Sequence, residues 1–177
     1  MDSTKKLCIF TIGHSTRSIK EFLEILKHYH IAELVDIRTI PKSRHNPQFN
    51  GDELAEVLRN HHIDYRHQSN LGGLRHANKN SINMAWKNAS FRGYADYMQT
   101  EEFKKGIQQL IETAHHKIVA IMCAEAVPWR CHRSLVGDAL IVRNIDVEDI
   151  YSITSVKSHT LTLWAVVKGT DITYPAE

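Results

Sequence analysis

Between Cys123 and Arg133 the chain reads CAEAVPWRCHR, a stretch with two of its three cysteines, a glutamate, a histidine and two arginines. Four readings fit such a set. A thiol beside guanidinium groups at a helix start ionises more easily, which suits redox or sulfur-transfer work through Cys131. Cys123, Cys131, His132 and His14 offer ligands of a kind zinc or iron accepts. Guanidinium forks beside a helix N-terminus suit phosphate. The fourth reading is structural, with the cysteines in the core and the arginines on a solvated rim. Spacing ranks these. Cys123 to Arg130 is one residue too long for the tyrosine-phosphatase loop signature, and Cys131 precedes Arg133 with no room for a phosphate cradle. Adjacent Cys131 and His132 diverge on a helix and no CxxC is present, so no metal site is assigned. The anion pocket leads. Arg38, Arg44, Arg130 and Arg133 supply charge, Glu125 and His14 exchange protons, and Cys131 is a candidate catalytic thiol.

Two other segments end in similar groups. KLCIFTIGHS brings Gly13, His14 and Ser15 after an apolar run, and AELVDIR ends in Asp36 and Arg38. In open parallel sheets, ligands sit outside the carboxyl ends of the strands. A polar strand end is unremarkable alone, but three at one edge favour a site. Asp36 and Arg38 share a strand face, so a buried ion pair is an equal reading for them. Gly72 and Gly73 in NLGGLR are expected to serve a turn with positive φ, or to let the backbone approach a ligand beside Arg75.

The elements that must position these residues alternate. Lys6–Ile12 reads as a buried strand and Ser18 with Glu21 as a capping box, followed by a helix to about Tyr29. AELVDIR is the second strand, DELAEVLRNH a helix and IDYRH the third strand. Asn70–Asn88 is a long polar loop. Helices follow over Phe91–Met98 and, capped by Thr100, over Glu101–His115. KIVAIMCAE is the strongest strand signal, Cys131–Arg143 a helix, and VEDIYSI and LTLWAVV late strands. This order predicts an α/β fold, a single three-layer Rossmann-like domain over residues 1–177 with a mostly parallel sheet. Its core is expected over about 6–168, with the last dozen residues frayed.

Composition narrows the partners. An apolar content of 42% and a charged content of 24% are those of a globular protein that folds without disulfides. The formal charge of +2 is too small to imply nucleic acid by itself. No signal peptide or membrane span is read, so a cytoplasmic location, no membrane partner and three reduced cysteines are expected.

Four ordered motifs, FTIGHSTRSIKEF, LVDIRTIPKSRHNPQF, YRHQSNLGGLR and MCAEAVPWRCHRSLVGDAL, resemble the domain of unknown function 488 family. The tail SHTLTLWAVVKGTDITYP is also similar and adds His159. The resemblance implies a compact Rossmann-like domain and marks His14, Ser15, Asp36, Arg38, Pro41, Arg44, Gly72, Gly73, Cys123, Glu125, Cys131, His132 and Arg133. It implies no reaction and no cofactor. The combined expectation is a cleft at the strand ends, taking an anionic small molecule or nucleic acid, with acid–base catalysis as one use of it. A thiol- or metal-dependent protein using Cys123, Cys131 and His132, or a non-catalytic sensor, are the alternatives. Arg133 is expected to face that cleft, so that its removal costs little stability.

Overall fold

The computed structural model describes residues 5–177. Its main sheet has six strands: β1 (Cys8–Gly13), β2 (Glu33–Asp36), β3 (Asp64–His67), β4 (Val119–Cys123), β5 (Asp146–Ser152) and β6 (Ser155–Ser158). Their order is β3-β2-β4-β1-β5-β6, parallel except for β6, which pairs antiparallel with β5. The helices are α1 (Ile19–His28), α2 (Gly51–Asn60), α3 (Ala89–Tyr97), α4 (Glu101–Ala114) and α5 (Arg133–Ile141). The chain has the expected three-layer, Rossmann-like α/β architecture.

Period-2 alternation divides the central strands between two cores. Ile12, Leu34, Ala120 and Met122 face α1 and α2, where they meet Phe22, Leu26, Leu54 and Leu58. Ile9, Val35, Ile121 and Cys123 face the opposite layer, with Tyr94, Phe103, Ile107 and Leu135 of α3, α4 and α5. The expected caps are present. Ser18 accepts from the Glu21 N–H at 3.1 Å, and Thr100 accepts from the Phe103 N–H at 3.3 Å.

This arrangement creates a switch point. The helix leaving β1 packs on one face and the helix leaving β4 on the other, while β1 and β4 are neighbours. A crevice opens at the carboxyl end of such a pair. Gly13 is level with Cys123 there, and the His14 N–H continues the ladder by donating to the Cys123 carbonyl at 2.9 Å.

The long loop after β3 is ordered by α3. Asp96 accepts from the Asn78 N–H, the Ser81 hydroxyl and the Asn83 amide at 2.6–2.7 Å. Gly93 lets the loop lie on the helix, since a Cβ there would be 2.3 Å from the Arg75 carbonyl oxygen.

The C-terminal part departs from the expectation. LTLWAVV is not a sheet strand: only Val166 and Val167 of it enter β7 (Val166–Lys168), which forms a separate hairpin with β8 (Asp171–Thr173). Asp138 of α5 accounts for the difference, because it accepts from the Thr162 N–H at 3.1 Å and holds the segment over the helix. The sheet edge goes instead to β6, whose sequence SVKS has no apolar pattern. The tail is not frayed in its middle. Ile172 and Tyr174 are buried, and the Tyr174 hydroxyl donates to Asp138 at 2.8 Å.

His159 completes this anchorage. Its Nε2 lies 2.9 Å from Asp138 and its Nδ1 3.5 Å from Asp149, while Gly137 of α5 leaves room for the ring. Burial alone would lower its pKa, but bonds to Asp138 and Asp149 and their charges overcome this and raise it to about 9. A raised folded-state pKa contributes stability that is complete below the unfolded value, near 6.5, and is lost as pH rises through the folded value. Chemical denaturation should therefore show stability falling between about pH 6.5 and pH 9, by up to about 3 kcal/mol. His159→Asn should flatten that slope; a variant that keeps it would refute the assignment.

Candidate functional site

At the carboxyl ends of β2 and β4 lies a cleft of about 500 Å³, lined among others by Arg38, Lys42, Phe91, Cys123, Glu125, Arg130, Cys131 and His132. Seven of the residues read from the sequence thus meet here: Arg38, Gly73, Cys123, Glu125, Arg130, Cys131 and His132. A larger cleft of about 840 Å³ between β3 and α4 contains none of them. His159 lies in a third, of about 390 Å³, together with the chain's three tryptophans.

Arg38 and Asp36 form the buried ion pair that was one of the two readings. Two guanidinium nitrogens of Arg38 donate to Asp36 at 2.9 and 2.7 Å, and one of these also donates to the Phe49 carbonyl at 2.7 Å. Tyr65 donates to the same carboxylate at 2.6 Å. Burial, then the bond to Asp36, pushes the Tyr65 hydroxyl well above its ordinary value, so it stays a donor. Asp36 is fully buried and lines no part of the cleft.

His14 stands behind Arg38. It is buried, stacks on Phe49 at 4.5 Å, and its Nδ1 is 2.9 Å from the Ser15 carbonyl. If Nδ1 carries the proton to donate there, Nε2 is left as an acceptor, 3.4 Å from an Arg38 nitrogen. Burial lowers its pKa, the bond to Ser15 opposes this, and the Arg38 charge lowers it again. His14 is therefore a neutral prop for Arg38. Ser15 makes the turn at φ +48°, in the left-handed region, with its N–H on the Ala124 carbonyl at 2.9 Å.

The segment after β4 corrects the sequence reading. The helix does not begin at Cys131. A 3₁₀ turn covers Pro128–Arg130, Cys131 is extended at φ −138° and ψ 146°, and α5 starts at Arg133. Cys131 is thus outside the helix's first turn. Nor does Arg133 face the cleft: its side chain is 1% exposed. It donates to the carbonyls of Glu125 and Ala126 at 2.8 and 3.1 Å and to the Cys123 sulfur at 3.1 Å. Its Nε has no hydrogen-bond partner, and among the described residues no carboxylate lies within ion-pair distance of it. Removing this side chain therefore cannot be cheap.

The sulfurs respond to that cation differently. For Cys123, burial opposes ionisation, but a hydrogen bond with Cys131 and the Arg133 charge outweigh it and hold the thiol below its ordinary value. For Cys131, burial and the bond with Cys123 push the thiol well up. The pair is thus one thiolate-prone sulfur and one thiol. The Arg133 N–H also meets the Cys131 sulfur, at 3.4 Å.

His132 is fixed by backbone. Its Nε2 lies 2.9 Å from the Ile37 carbonyl, and burial lowers its pKa to about 4. Gly73 explains part of NLGGLR: a Cβ there would be 2.5 Å from the His132 ring, and neither Gly73 nor Gly72 has a positive φ. The backbone approaches a side chain, and Arg75 lies instead over the Tyr97 ring at 3.6 Å. Arg44 is exposed in its loop and does not line the cleft. Lys42, passed over in the sequence, takes its place. Only its nearness to Pro41 and the strand end could have indicated it. No group of three His, Cys, Asp or Glu is placed to hold a metal ion among the described residues, and no helix among them is long and apolar enough to cross a membrane.

Two substitutions test this construction. Arg133→Ala should lower the denaturation midpoint by the equivalent of roughly 3 kcal/mol or more, since it strips two carbonyls and a sulfur of their buried donor. In Gly13→Ala the new Cβ would sit 1.7 Å from the Glu125 carbonyl oxygen and 2.7 Å from Arg133. It should cost more than about 2 kcal/mol. Near-native stability of either variant would contradict the packing described.

The model of the family described as Domain of unknown function DUF488 matches residues 18–140. The match starts after the His14 turn and stops within α5, so Gly13, His14, Ser15 and His159 lie outside it. No curated protein and no solved structure matches the chain.

Proposed function

We propose, for a chain that belongs to the domain of unknown function DUF488 family, that the cleft at the β2 and β4 ends binds a small phosphate-bearing anion, a nucleotide being the natural size. One observation carries this reading: Arg38, Lys42 and Arg130 line the cleft against a single carboxylate, Glu125. Positive groups around a concave, partly desolvated surface raise the local concentration of anions. The volume of about 500 Å³ suits a drug-sized ligand more than a duplex, and Phe91 offers an apolar wall for a base.

The charge is distributed unequally. Arg38 is committed to Asp36 and the Phe49 carbonyl, so it borders the ligand as a fixed dipole-rich edge. Lys42 and Arg130 are exposed, and they do the capturing. Glu125 is also exposed and is the group available to exchange a proton with a bound ligand.

Calorimetric titration with inorganic phosphate and nucleoside monophosphates tests this, with short oligonucleotides as a second arm. Lys42→Ala combined with Arg130→Ala should weaken binding roughly ten- to a hundredfold and reduce its salt dependence. Both side chains are exposed, so stability should change by less than about 0.5 kcal/mol. Glu125→Gln should leave binding intact, and should abolish turnover wherever turnover is found. Wild-type protein that binds none of these anions would overturn the reading, as would an unaffected double variant.

A further inference from the structure

The floor of the cleft raises a question that anion capture does not answer. Arg133 is a cation 99% removed from solvent, and among the described residues it has no carboxylate partner. Burying an unpaired ion costs several kcal/mol even after relaxation. Carbonyl dipoles from Glu125 and Ala126 offset part of that cost. The remaining contact is the Cys123 sulfur at 3.1 Å, the nearest group that could carry a negative charge. Ionising Cys123 turns an unpaired buried cation into a buried ion pair. Both cysteines nevertheless line the cleft, with Cys123 2% and Cys131 5% exposed, so a small molecule can reach them where a bulky one cannot.

We propose that Cys123 and Cys131 form a dithiol redox centre that reduces small hydroperoxides, with Cys123, paired to Arg133, as the attacking sulfur and Cys131 as the resolving one. The proposal goes beyond the anion reading and stands whether or not the rim binds phosphate. In the first step the Cys123 thiolate attacks the terminal oxygen of R–O–O–H. An S–O bond forms, the O–O bond breaks, and the alkoxide takes a proton from water to leave as an alcohol. Cys123 is then a sulfenic acid. In the second step the Cys131 sulfur attacks it, the S–O bond breaks, and hydroxide leaves with the Cys131 proton as water. Two electrons have passed from the two sulfurs to the peroxide, and a disulfide remains. An external dithiol returns two electrons by exchange and restores the thiol and the thiolate.

The geometry suits both steps. Arg133 meets both sulfurs, its guanidinium donating to Cys123 at 3.1 Å and its backbone N–H to Cys131 at 3.4 Å, so the attacking and resolving sulfurs share one pocket floor. Arg133 donates to Cys123 and can donate equally to an oxygen placed on it. Oxidation also has a structural consequence, because a disulfide removes the anion opposite Arg133 and leaves the guanidinium with carbonyls only. The turn between β4 and α5 should therefore loosen in the oxidised protein and become more open to reductant.

Cys8 provides an internal comparison. It lies in β1, and burial, then the nearby Glu148 and Asp146, raises its pKa to about 11. The test uses the full chain, reduced, in phosphate-free buffer near pH 7, with hydrogen peroxide as the probe. Intact mass and thiol titration follow the course. Wild type should lose two thiols and about 2 Da, at least roughly tenfold faster than free cysteine loses its thiol. Cys131→Ser should stop at a sulfenic acid on Cys123 that dimedone traps, and Cys123→Ser should stay reduced on that timescale, as should Cys8 throughout. If Cys123→Ser fails to fold, the site of the dimedone adduct in Cys131→Ser decides. A Cys123 that reacts no faster than Cys8 overturns the proposal. So does a wild type that gains oxygen without forming the Cys123–Cys131 disulfide.

Discussion

A guanidinium buried without a carboxylate governs the centre of this molecule. Ions of this size are expensive to remove from water, so everything around Arg133 must supply negative character. The turn after β4 points the carbonyls of Glu125 and Ala126 inward, and Cys123 presents its sulfur. Gly13 of the neighbouring strand has no side chain because the Glu125 carbonyl and the Arg133 fork occupy that space. The position of α5, the path of the turn and the lowered pKa of the Cys123 thiol are consequences of the same buried charge.

Asp36 and Arg38 solve the equivalent problem conventionally, as an ion pair reinforced by Tyr65 and the Phe49 carbonyl. The contrast divides the arginines by task. Arg38 and Arg133 hold backbone in place, and the exposed cations at the rim are Lys42 and Arg130. Both buried arginines flank the point where the chain switches faces of the sheet. There β1 and β4 send their helices to opposite layers, and the strand ends cannot be covered by either. Rigid ions at a crevice that the topology leaves open are the construction a preformed site requires.

Much of this was legible because periodicity carries it. The alternation in FTIGHS and IVAIMC, the capping box at Ser18 and the cap at Thr100 determine strands and helices by local physics alone. The meeting of Arg38, Cys123, Glu125, Cys131 and His132 followed from the rule for parallel sheets. Side-chain direction did not follow. Arg133 opens RSLVGDAL, in which every residue is buried. Arg133, Ser134 and Asp138 fall on one arc of this helix, which by pattern alone reads as a solvated side, so the burial of Arg133 is not encoded locally. For Gly72 and Gly73 the sequence offers a positive-φ turn or a backbone approach to a ligand, because glycine is ordinarily read through φ and open space. Here the requirement is the approach of Thr39 and His132 from distant segments, which no local pattern encodes. The order of the tail is hidden from the sequence for a related reason. Its anchorage depends on Asp138 and Asn83, remote in sequence, which receive Tyr174.

The buried Arg133 and the anchored tail meet in α5. Arg133 at its start fastens the helix to β4 and the turn that follows it, and Asp138 five residues later fastens it to His159, Thr162 and Tyr174 of the tail. Ser134 links the two regions, because its hydroxyl donates to the Cys131 carbonyl while its side chain borders the tryptophan-lined cleft. A nine-residue helix has little stability of its own, so tertiary anchors at both places decide whether it keeps its position. The sulfur pair therefore depends on contacts made far from it. Whatever releases the tail from Asp138 removes a support of the helix that presents Arg133 to Cys123. The apparent appendage of β7, β8 and Tyr174 is in this sense part of the framework of the cleft, although it contributes no residue to the cleft's lining.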